Sequence, residues 1–235
     1  MKFGQWDYSS QPVLQLQEYR LEIKKADSRF RYSRIRQGQV IETVFTTPKE
    51  PSLGLYPTKP LGLLETVNCI LLRLREEVLI PPDGGVELEL TCPFDLAVII
   101  TEGEHHWVVD RFPVTPVKYS LYGPPERGVV GRYHVSTRWE TVDEETRREL
   151  ALTTIYASNR YQSWVRLRQI AIPTEQIDFF YDENQAYTGV VKVEIKSKAL
   201  ASVLATNQPP RSNLRRSPVL SPAQNKMAFD MEWGY

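Results

Sequence analysis

Apolar and polar residues alternate with a period of two through roughly the first 200 positions, the pattern of strands with one dry and one wet face. In EYRLEIKK, Tyr19, Leu21 and Ile23 share one face against Glu18, Arg20, Glu22 and Lys24. VELELT repeats this with Val86, Leu88 and Leu90, and VVKVEIK with Val191, Val193 and Ile195. Such segments are half-buried antiparallel strands. Further strands are predicted over 39–47, 67–75, 95–101, 118–123, 129–136, 150–157 and 164–172, and CILL and LAVII are apolar enough to be covered on both faces. Prolines and glycines, as in Pro81-Pro82-Asp83-Gly84-Gly85 and Gly123-Pro124-Pro125, punctuate them. The expectation is an all-β chain, an antiparallel β-sandwich or jelly roll.

Two short surface helices interrupt this reading. Thr141 and Glu144 have capping-box spacing, with acids in the first turn and Arg147 and Arg148 after them. SKALASVLATN has Leu200, Val203 and Leu204 at helical spacing. Residues 1–198 then form the sandwich, as one body or two lobes, and 199–235 a linker and tail. QPPRSNLRRSPVLSPAQNK is too rich in proline and polar residues to build a core. After it the alternation resumes, with Met227, Phe229, Met231, Trp233 and Tyr235 on one face. An apolar strand on a tether can add itself to an open sheet edge, in its own chain or, making a homodimer, in another. Phe229, Met231, Trp233 and Tyr235 are therefore the candidate self-association residues.

Composition narrows the function classes. Lysine plus arginine and aspartate plus glutamate number 29 each, so no global field draws the chain to nucleic acid or to an anionic membrane. The basic and aromatic run RFRYSRIR (29–36) could track a single strand of nucleic acid, but it equally describes the wet face of a sheet whose dry face supplies Phe30, Tyr32 and Ile35. No apolar run is long enough to cross a membrane, and MKFGQWDYSS lacks the apolar core of a signal peptide, which points to the cytoplasm. Cys69 and Cys92 have no metal-ligand spacing and read as buried, reduced thiols.

Candidate chemistry is sparse. His105 and His106 lie among acids in TEGEHHW, but neighbours on a strand point to opposite faces and His134 is remote, so a hairpin around Gly103 accounts for the polarity and no metal is expected. No nucleophile elbow, GxGxxG or GxxxxGK[ST] loop occurs, and no cofactor is implied. The stretch RFPVTPVKYSLYGPPERGVVGRYHVS (111–136) carries Lys118-Tyr119-Ser120-Leu121-Tyr122-Gly123-Pro124 followed by Gly128, Arg132, Tyr133 and Ser136. It resembles a motif of an archaeal protein family known only as a domain of unknown function. The resemblance extends to LYPTKPLGL (55–63), to residues 76–100 and to the strands up to about 198. It implies an archaeal source and transfers no mechanism.

Lys118, Tyr122, Arg127 and Arg132 flank a turn stiffened by Pro124 and Pro125, a set suited to an anionic ligand or an acidic partner surface. The plainer alternative is that Tyr119 and Tyr122 anchor the turn while Lys118 and Arg132 pair with acids. The sequence thus reads as a non-catalytic binding or assembly module of unknown function. The alternatives are an enzyme on a jelly-roll scaffold acting on a small molecule or sugar, and a binder of single-stranded nucleic acid.

Overall fold

The computed structural model describes residues 2–47, 50–60, 69–102, 105–218 and 229–235. After β1 (Gly4–Trp6), the strands β2 (Val13–Leu16), β3 (Tyr19–Ala26), β4 (Arg29–Arg36) and β5 (Gln39–Thr46) form an antiparallel meander in chain order. Its β4–β5 turn places Gln37 and Gly38 at φ 47° and 81°, the left-handed geometry that matches the twist of a two-residue hairpin. A second four-stranded antiparallel sheet runs β1, β6 (Ser52–Thr58), β9 (Asp95–Glu102), β10 (His105–Pro113). His105 pairs with Glu102, so the expected hairpin is present, its Gly103 lying outside the described residues.

β7 (Cys69–Ile80) is the long spine of a third sheet, in the order β11 (Tyr119–Tyr122), β12 (Val129–Ser136), β7, β14 (Val165–Pro173). The largest sheet gathers β8 (Gly85–Cys92), β13 (Ala151–Asn159), β15 (Phe179–Tyr181), β16 (Ala186–Thr188), β17 (Val191–Ile195), β18 (Ala201–Ala205), β19 (Arg215–Arg216) and β20 (Phe229–Met231). β13 lies along β8 on one side and along β16 and β17 on the other. The chain is all-β and mainly antiparallel, as the alternation predicts. Three pairs, β12–β7, β13–β16 and β13–β17, are parallel. Period two specifies a face and leaves strand direction open. β7 and β12 pack on β8 and β14 on β18, so the two large sheets share a core that includes Ile70, Leu72, Ile155, Ile170, Ile172 and Val193, each at most 1 % exposed.

Two local expectations are corrected. SKALASVLATN forms β18 rather than a helix, because Ala201, Val203 and Ala205 alternate into the core and the pairing to β17 overrides local helical spacing. The segment that begins the expected linker therefore belongs to the largest sheet. The first helix is present as α1 (Glu144–Arg147), but Asp143 caps it by accepting the Thr146 N–H at 2.8 Å, while Thr141 ends a separate 3-10 turn, Trp139–Thr141.

One buried ion pair joins the meander to its neighbouring sheet. Asp110 on β10 accepts the Tyr32 hydroxyl at 2.8 Å and the Arg34 Nε at 2.7 Å, with the Arg34 and Asp110 side chains 13 % and 9 % exposed. Arg34 also lies 4.7 Å from the Phe112 ring centroid. It is Arg34, not Ile35, that shares a face with Phe30 and Tyr32, since side chains two apart face the same way. Removing the carboxylate leaves a guanidinium and a phenol unpaired. Asp110→Ala is expected to cost about 3–5 kcal/mol in a urea unfolding titration.

Candidate functional site

The KYSLYGPP segment is divided by its own pleat. β11 pairs with β12 so that Tyr119 faces Arg132 and Tyr122 faces Val129, which puts Tyr122 and Arg132 on opposite faces of the sheet. The turn between them is closed by the Arg127 and Gly128 N–H groups, both donating to the Pro124 carbonyl. Lys118 and Arg127 are exposed, whereas Tyr122 is 2 % and Arg132 1 % exposed. The four candidate residues therefore do not form one surface.

Tyr122 is buried by the chain's own C-terminus. β20 pairs antiparallel with β18, Phe229 opposite Val203 and Met231 opposite Ala201. Met231 is fully buried and its sulfur accepts the Ala171 N–H at 3.5 Å. Beyond it, the Tyr122 hydroxyl donates to the Gly234 carbonyl at 2.8 Å and accepts the Trp233 N–H at 3.3 Å, while the two rings meet edge to face at 5.4 Å. Gly123, at φ 105°, leaves room for Trp233, which a β-carbon there would meet at 2.6 Å. The Tyr235 hydroxyl closes the strap on the Ser197 carbonyl at 2.7 Å. Phe229, Met231, Trp233 and Tyr235 thus dock within their own chain, and Met227 lies outside the described residues. Pairing this strand with a second copy would require it to leave β18.

On the opposite face the sheet carries a buried cation. Arg132 is the largest of the fully buried side chains, and its Nη2 donates to the Thr115 carbonyl at 3.1 Å. Its Nη1 has no hydrogen-bond partner, and no carboxylate pairs with it among the described residues. Two residues along, the His134 imidazole is pushed down to about 4 by burial and next by the positive charge of Arg132. His134 Nε2 lies 3.0 Å from the Thr91 hydroxyl, and the Ser136 hydroxyl donates to the Thr91 carbonyl at 2.7 Å.

A second arginine is held at another carbonyl. Arg111 donates from Nη2 to the Lys59 carbonyl, and its Nε has no hydrogen-bond partner among the described residues. Burial lowers the Arg111 guanidinium to about 10, with Asp95 acting in the other direction. Burial and then the charge of Arg111 also lower the Lys59 ammonium. Arg132 and Arg111 are thus two guanidiniums held by backbone carbonyls, at Thr115 and at Lys59, each with an N–H group that no described residue accepts, and such groups attract anions. Lys59 and Arg111 were not singled out in the sequence; the available signal was an arginine at an alternating position of a strand that ends at Pro113.

Other chemistry is dispersed. His106 Nδ1 sits 3.1 Å from the Thr101 hydroxyl and His105 lies against Trp107, and no three metal-ligating side chains cluster among the described residues. Cys69 and Cys92 are buried free thiols, each raised to about 12 by burial. An open groove of about 670 Å³ runs over β8, β13, β17 and β18, where Tyr156 donates to Glu87 at 3.1 Å and Ser202 to Asp230 at 2.6 Å.

Two outcomes follow. Met231→Ala is expected to cost about 2–5 kcal/mol, read from the urea midpoint, because it opens a cavity under the strap. His134 has a folded pKa below its ordinary 6.5, so its contribution is full above that value and is lost as pH falls toward about 4. The loss amounts to about 3 kcal/mol at ~1.4 kcal/mol per pH unit, and His134→Gln is expected to remove this part of the acid sensitivity of the unfolding midpoint.

No curated protein and no solved structure matches the chain. The profile of a family described as a protein of unknown function, DUF432, matches residues 2–232, nearly the whole length. The match takes in β20 and stops just before Trp233, and the chain belongs to the DUF432 family.

Proposed function

We propose that this protein is a non-catalytic binding module for a small anionic ligand carrying a phosphate or carboxylate group, with Arg132 and Arg111 as its cationic contacts. The observation that carries the reading is Arg132, 1 % exposed, with Nη1 unused and no carboxylate pairing with it among the described residues. Burying an unpaired charge costs several kcal/mol, so a cation kept in that position implies a counter-charge beyond those the described residues supply. A phosphate or carboxylate satisfies it and takes up the remaining donors of the planar guanidinium. Arg111 is the second guanidinium with a free donor, its Nε having no partner among the described residues. The buried free thiols suit a cytoplasmic setting.

Arg132→Met tests the reading through stability. In anion-free buffer the variant is expected to be as stable as the wild type or more so, because an apolar side chain replaces an unpaired buried charge. Phosphate at a hundred times its dissociation constant is expected to stabilise the wild type by about 2.7 kcal/mol and the variant not at all. A wild type indifferent to phosphate, sulfate and acetate, together with a variant that unfolds more easily in every buffer, would make Arg132 a purely structural residue.

A further inference from the structure

The outer face of the β11–β12–β7–β14 sheet carries a second, independent set of cations. Arg166 on β14 sits opposite Leu79 on β7, and Arg73 sits opposite both Gln169 and Val135. Leu167 and Ile170 are both at 0 % exposure, so the register shift at Arg168 turns Arg166, Arg168 and Gln169 outward together. The C-terminal strap occupies part of this face, where the Gln169 Nε2 donates to the Gly234 carbonyl at 3.4 Å, and Lys118 stands on the same face with its carbonyl accepting the N–H of Tyr133. Glu77 is shared between Arg166 at 3.2 Å and Arg168 at 2.9 Å, which leaves this part of the face positive. Neither Arg73 nor Lys118 has an ion-pair partner among the described residues.

Large apolar groups stand among these charges. Trp164 is 66 % exposed, Leu79 58 % and Val135 42 %. From Trp164 to Gln169 the face runs for about 17 Å along one strand, at ~3.3 Å per residue. Arginine and tryptophan standing beside bare aliphatic groups are the composition of interface centres rather than of ordinary wet sheet faces.

We infer that this face docks an acidic protein surface, with Arg73, Arg166, Arg168 and Lys118 reading carboxylates and Trp164 with Leu79 giving the apolar contact. Nucleic acid fits less well, because the exposed Leu79 and Val135 offer no stacking plane between the cations. The site is separate from Arg132, which points to the other face of the same sheet.

The test is fluorescence anisotropy of the full chain with a labelled octaglutamate peptide, with octathymidylate as a control of similar charge. Saturable binding of the peptide is expected at low salt, falling by roughly tenfold or more at physiological ionic strength as screening shortens the field. Arg166→Ala with Arg168→Ala is expected to weaken it by roughly tenfold and Trp164→Ala to weaken it measurably. These residues are surface groups, and circular dichroism verifies that the variants fold. Absence of peptide binding, indifference to the arginine pair or to Trp164, or equal or tighter binding of octathymidylate overturns the inference.

Discussion

An arginine sealed into a β-sandwich, with no carboxylate paired to it among the described residues, is the constraint around which the rest of this structure is arranged. Arg132 reaches the interior because β12 is held on both sides, by β11 in antiparallel register and by β7 in parallel register. Neither partner can shift by one residue without exchanging the faces of the whole strand. The guanidinium therefore stays where the fold puts it, tied by one bond to Thr115, and its charge adds to the burial that depresses the imidazole of His134. On the proposed reading an anion meets its energetic cost and takes up the unfilled donors.

The C-terminal strap bears on this constraint from the other side of the sheet. Tyr122 belongs to β11, the edge strand that keeps β12 in register, and its ring and hydroxyl are fixed by Trp233 and Gly234. Met231 meanwhile fastens the strap to β14 across the sheet and to β18 in the largest sheet. Two motifs that lie more than a hundred residues apart, the tyrosine-rich turn and the terminal alternating segment, thus act as one clasp.

Much of the architecture was legible because alternation is a local consequence of burial. Tyr19, Leu21 and Ile23 are buried as expected, as are Val191, Val193 and Ile195, and the terminal segment keeps its phase with Met231 and Tyr235 inward. Strand direction and partner choice were not legible, since β7 meets β12 across more than fifty positions and no local pattern records it. The candidate site was half visible. Arg132 stood out in a charged and aromatic stretch, yet the alternation of VVGRYHVS favours Val129, Tyr133 and Val135 as the dry set, while the sandwich interior takes Arg132, His134 and Ser136. A polar set directed into a core is invisible to hydrophobic periodicity, which registers where apolar groups go and not where a fold tolerates charge. Arg111 escaped for the same reason.

The most direct measurement is the anomalous scattering of a crystal soaked in selenate, a tetrahedral dianion that stands in for phosphate. The account predicts a peak whose oxygens lie about 2.7–3.2 Å from Arg132 Nη1. A crystal with Nη1 bonded instead to ordered water or to protein carbonyls, and with no selenate near it, would contradict the account.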